Sequence, residues 1–135
     1  MSLPIEIIKS VAGVELAYII RADWKPARSE FVTPDSFGLQ MGMIVYGKGQ
    51  AIPAHVHLPI TRQVHGTTEV VTVRSGACEI DLYDDGRNFV ATRSLTLGDI
   101  VMLLGGGHGF RMNEDTVLFE VKQGPYAEGK DKERF

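Results

Sequence analysis

Short runs of alternating apolar and polar residues fill most of this chain, separated by breaks rich in Gly, Pro, Asp and Asn. Leu39, Met41, Met43 and Val45 alternate with Gln40, Gly42, Ile44 and Tyr46 before Gly47-Lys48-Gly49, which predicts a strand from Phe37 and then a turn. Glu69 to Arg74 predicts a second strand that stops at Gly76, and Cys78, Ile80 and Leu82 mark a third with Glu79, Asp81 and Tyr83 on its other face. Asp84-Asp85-Gly86-Arg87 is a hairpin turn that sends the chain back through Phe89 and Ala91. Leu95 and Leu97 lead to a turn at Gly98-Asp99, and the unbroken apolar run Ile100 to Leu104 fits a buried strand. Phe110 and Met112, then Val117, Phe119 and Val121, give the last two strands on either side of a turn at residues 113–115. Ahead of these, Ile5, Ile7 and Ile8 precede Gly13, and Val14 to Ile20 fits a strand or a short helix, the strand being preferred. Pro26 and Pro34 break up Trp24 to Asp35, leaving a short extended piece at Phe31-Val32. Eight or nine short strands with turns at near-regular spacing, and no helix of ten or more residues, predict an all-β barrel or jelly roll. The expected organisation is an irregular N-terminal arm over 1–36 that can wrap a partner subunit, a barrel over 37–124 and a charged tail over 125–135 in which Phe135 pins the end.

The chain has 135 residues, enough for one hydrophobic core and too few for two. A formal charge of −3 with no cluster of Lys or Arg gives no electrostatic reason to expect nucleic acid or an anionic membrane as partner. No apolar run has the length of a spanning helix, and the N-terminus lacks a basic region followed by a long apolar stretch, so neither insertion nor secretion is expected. The lone Cys78 has no partner for an internal disulfide, which suits a reducing cytoplasm, and it alternates with Ile80 and Leu82 as a small apolar residue does.

Candidate chemistry gathers in the histidines. His55 and His57 are two apart in an expected extended segment, so both imidazoles leave on one face and can converge on one ion. With Glu69 at the start of a strand and His108 after Gly105-Gly106-Gly107, they give three imidazoles and one carboxylate, a nitrogen and oxygen set suited to a divalent first-row metal. If Glu69 points inward, Val71 and Val73 do too, while Val70, Thr72 and Arg74 point out. The three glycines lack the following helix that a phosphate-cradling loop uses and are read as a turn. In the loop from Leu58 to Thr68, Arg62 offers a planar fork of donors for a carboxylate or phosphate. His65 in the same loop offers a general base or an extra ligand, and for both residues simple solvent exposure is the competing reading.

This spacing resembles the cupin superfamily. Gly49, His55, His57, Glu69 and Gly76 fall on its first motif, and Gly98, His108 and Asn113 on its second. The chain departs from the pattern in having Leu104 at the usual Pro, His108 one place early, and eleven residues between His57 and Glu69 where the family has a much shorter spacer. Gln63 and His65 lie in that insertion and stand as alternatives to Glu69 for the fourth ligand. The resemblance implies a double-stranded β-helix with iron, manganese, nickel or zinc inside the barrel, a small polar or anionic metabolite as ligand, sugar-related in some relatives, and a homodimer. Isomerisation, epimerisation, hydrolysis or oxygen chemistry all fit such a site. Two other readings stay open: a small-ligand-binding or regulatory module without catalysis, and a metal-independent sugar-nucleotide isomerase or epimerase working through His and Tyr.

Overall fold

The computed structural model describes residues 5–135, so the first four residues of the expected arm lie outside the described residues. The chain is all-β: among the described residues no helix forms, and none is long and apolar enough to cross a membrane. The strands are β1 (Ile5–Lys9), β2 (Glu15–Ile20), β3 (Glu30–Phe31), β4 (Gly42–Met43), β5 (Glu69–Ser75), β6 (Cys78–Tyr83), β7 (Phe89–Leu95), β8 (Ile100–Leu103), β9 (Gly107–Met112) and β10 (Val117–Lys122). They form three sheets and no closed barrel. Two compact units result, one holding the described residues up to Trp24 together with Gly66–Phe135, the other Lys25–His65.

In the first unit β1-β2-β8-β5-β10 make an antiparallel sheet and β7-β6-β9 a second one. The expected alternation holds on β5 and β6: Val71 and Val73 are buried with Cys78, Ile80 and Leu82, while Arg74 is exposed. Together with Ile8, Ala17, Ile19, Leu95, Val101 and Leu103 they form the core between the two sheets. Burial pushes the Cys78 thiol pKa up, as expected of a packed apolar residue. Where the sequence gives an unbroken apolar run, at Leu16–Ile20 and Val101–Leu103, the side chains are buried on both faces of the sheet. Within the described part of the expected arm, 5–36, β1 and β2 are strands of the large sheet, because they carry enough Ile, Leu and Tyr to bury.

The outer faces are tied by ion pairs. Arg111 donates to Asp81 (Nε to Oδ2 and Nη2 to Oδ1, both 2.8 Å) and pairs with Glu79 at 2.8 Å, and Arg93 forks onto Glu6 at 2.9 Å. The Arg111 hydrogen bond, with a second one from Thr92, holds the Asp81 carboxyl down to about 2. A buried anchor sits at the start of β8: Asp99, 4 % exposed, accepts the Ala22 and Thr96 backbone N–H groups at 2.9 Å and the Arg21 guanidinium at 3.0 Å. Gly76, at φ +84, makes the β5–β6 turn; a Cβ there would lie 2.3 Å from the Asp115 carbonyl oxygen, so the turn admits no side chain.

The second unit is mostly irregular. Its only ladder pairs β3 with β4, and a hydrogen-bond cluster around Gln40 and Thr33 shapes the preceding loop. The strand predicted from Phe37 to Tyr46 shrinks to Gly42–Met43, because alternation creates a strand only where a partner edge supplies hydrogen bonds. The predicted turn does form: the Gln50 N–H donates to the Gly47 carbonyl at 3.2 Å, and the Gln50 side chain accepts the Gly47 N–H at 2.6 Å. From residue 51 to 65 the chain is exposed and without secondary structure.

Candidate metal centre

Two pairs of candidate donors emerge, one in each unit. In the first unit Glu69 opens β5 on the inward face and His108 lies opposite Leu82 on β9, so each sheet sends one polar side chain to the same end of the core. His108 Nε2 is 3.2 Å from Glu69 Oε2, a spacing that suits two ligands of one ion as well as a direct ion pair. Phe110 stacks edge-on to the His108 ring with centroids 6.0 Å apart, which limits the orientations of the imidazole. Burial pushes the Glu69 carboxyl pKa up, the charge of Glu120 adds to that rise, and His108 pulls it back down. A desolvated carboxyl beside a second carboxyl is a place where a cation is favoured.

The pair opens into a cleft of about 1250 Å³ bordered by β5, β9, β10 and the C-terminal residues 131–135. Phe135 stands edge-on to Tyr83 with centroids 5.1 Å apart, the Arg87 guanidinium lies 5.2 Å from its ring centre, and Arg87 pairs with Glu133. The expectation that Phe135 pins the tail is met in this way.

Within the second unit, the His55 and His57 rings lie 5.3 Å apart, centroid to centroid. His55 Nδ1 is 2.9 Å from the Pro53 carbonyl oxygen. A carbonyl only accepts, so Nδ1 is the donor in this contact, and Nε2 is the nitrogen left for a metal. Arg62 and His65 are exposed in the same unit and belong to neither pair. Among the described residues no three His, Cys, Asp or Glu side chains converge as one ligand group. Each pair fits a metal by donor type and spacing, and neither is a complete ligand set.

Sequence reasoning missed Glu120 and Lys122. The apolar positions Val117, Phe119 and Val121 make the other face of β10 look like the inner one. The ladder with β5 sets Lys122 opposite Glu69 and Glu120 opposite Val71, which turns both charges toward the cleft. No protein family, curated protein or solved structure matches this chain.

Proposed function

We propose that this chain is a cupin-like metal protein, in which His55, His57, His108 and Glu69 hold one divalent ion, iron, manganese, nickel or zinc, next to a small polar or anionic metabolite. The observation that carries the reading is the Glu69 and His108 pair, one residue from each sheet at 3.2 Å, at the end of the core that opens into the cleft. When bound, such an ion polarises a carbonyl or hydroxyl oxygen as a Lewis acid. The protein's own contributions are distinct. Val71 and Leu103 present apolar walls beside Glu69, which strengthens every charge interaction there. Lys122 and Arg87 line the same cleft and attract an anionic group. His55, with Nδ1 held by the Pro53 carbonyl, offers Nε2 to the ion.

Elemental analysis of untagged protein tests this directly. About one equivalent of metal per chain is expected from the single ligand set, and it falls to background in His108→Ala. A well-folded wild type that takes up no metal after reconstitution overturns the proposal. In that event one observation favours a metal-independent isomerase or epimerase: the Glu69 carboxyl, raised by burial and within reach of His108, is placed for proton transfer.

A further inference from the structure

Within the first unit, the end of β6, the turn that follows it and the start of β9 build a slot on the rim of the cleft. Tyr83 and Gly107 are direct partners across the β6–β9 ladder, so Tyr83 meets no side chain opposite it. Phe89 stands edge-on to the Tyr83 ring with centroids 6.1 Å apart and limits its orientations. Arg87 closes the slot from the turn. Its backbone is held at φ +65, where a residue other than glycine is uncommon, by a set of turn hydrogen bonds. The Arg87 N–H donates to the Asp84 carbonyl at 3.0 Å, the Asp84 N–H to the Asn88 carbonyl at 2.9 Å, and the Asn88 N–H to the Asp84 carboxylate at 2.9 Å.

Two side chains of the tail occupy this slot. Glu133 and Phe135 are two residues apart, the spacing at which side chains of an extended segment share a face. The Phe135 ring takes the space left open at Gly107, where a Cβ would lie 2.7 Å from it, and it stands edge-on to Tyr83 at 5.1 Å. One guanidinium serves both groups: Arg87 lies 5.2 Å from the ring centre and pairs with the Glu133 carboxylate. The hold is weak. Phe135 is 61 % exposed, the Arg87 and Glu133 side chains are 51 % and 76 % exposed, and among the described residues the tail joins no ladder. Ion pairs and cation–π contacts this open to water contribute little, so a competitor can replace them.

We propose that this slot is a subsite for a small aromatic carboxylate and that the tail occupies it in cis. The ring of the ligand replaces Phe135 between Tyr83, Gly107 and Arg87, and its carboxylate replaces Glu133 on the Arg87 fork. The proposal rests on the reading of the cleft as a site for a small anionic metabolite, whose class it names. It does not rest on the metal, since none of these residues is a candidate ligand. Because the tail has to leave first, the apparent affinity of the ligand falls by the fraction of chains in which the slot is open.

The test titrates metal-free protein, kept in EDTA, with phenylacetate, 3-phenylpropanoate and 4-phenylbutanoate, followed by calorimetry or NMR. Glu133→Gln with Phe135→Ala, both exposed and outside the core, is expected to bind the best of these acids roughly 3- to 10-fold more tightly than wild type. Adding Arg87→Gly, a residue the φ of the turn favours, removes the fork and is expected to weaken that binding at least about tenfold. Adding Gly107→Ala instead fills the slot and is expected to weaken it as well. 3-Phenylpropanamide, without the charge, and 3-cyclohexylpropanoate, without the aromatic ring, are expected to bind more weakly than 3-phenylpropanoate. Equal affinity of wild type and the tail variant overturns the proposal, and so does binding that survives both Arg87→Gly and Gly107→Ala, or no binding of any of the acids. An amide that binds as tightly as the acid overturns the anionic reading of the cleft along with it. Since the protein is metal-free throughout, the metal content found by elemental analysis is decided separately.

Discussion

Asp99→Ala is expected to destabilise the first unit by about 3–5 kcal/mol, the range for removing one partner of a buried charge pair. The carboxylate accepts four hydrogen bonds, from the Ala22 N–H, the Thr96 N–H and hydroxyl, and Arg21, and it ties the end of β2 to the turn before β8. Its removal leaves two part-buried backbone donors, the N–H groups of Ala22 and Thr96, without their acceptor, and water reaches them in part, so each costs toward the lower end of about 1–3 kcal/mol. Because Arg21 is 27 % exposed it regains part of its hydration, which places the total loss at the lower end of the range for a buried charge pair. Asp99→Asn retains one acceptor oxygen and is expected to lose less. Urea unfolding measures both; an Asp99→Ala midpoint within error of wild type would show that the turn holds without the carboxylate.

The second large effect concerns the histidine pair. His55 and His57 are exposed and outside the core, so replacing both by Ala is expected to change the stability of the metal-free protein by less than about 0.5 kcal/mol. Metal affinity is expected to fall by more than about 100-fold, the upper end of what losing even an outer-shell partner costs. Metal at 100 times its Kd stabilises wild type by about 2.7 kcal/mol and the double variant by less than about 0.4 kcal/mol. Thermal melts with and without added metal read both quantities at once. A metal-dependent shift retained in the double variant would place the ion elsewhere.

Much of the first unit is legible in the sequence because its strands combine clear alternation with unambiguous turns. Glu69, Val71 and Val73 share a face by parity alone, and Gly76 and Gly98 mark turns that require positive φ. The second unit is not legible in the same way. Leu39 to Tyr46 alternates as well as any strand here, yet only Gly42–Met43 is paired, since pairing depends on a distant edge that local pattern does not encode. Glu120 and Lys122 stayed hidden for a related reason: which face of β10 turns toward the cleft is set by its register on β5. Of the residues that the histidine spacing singles out, Glu69 and His108 meet within the first unit, and His55 and His57 lie side by side within the second.

The most direct measurement is X-ray absorption at the metal edge of the loaded protein. A first shell of nitrogen and oxygen neighbours, with the outer-shell scattering of three imidazoles that drops to one in the His55→Ala, His57→Ala variant, is the result predicted for a single ion held by both pairs. A shell of oxygen alone, or an imidazole signal unchanged by that variant, would contradict it.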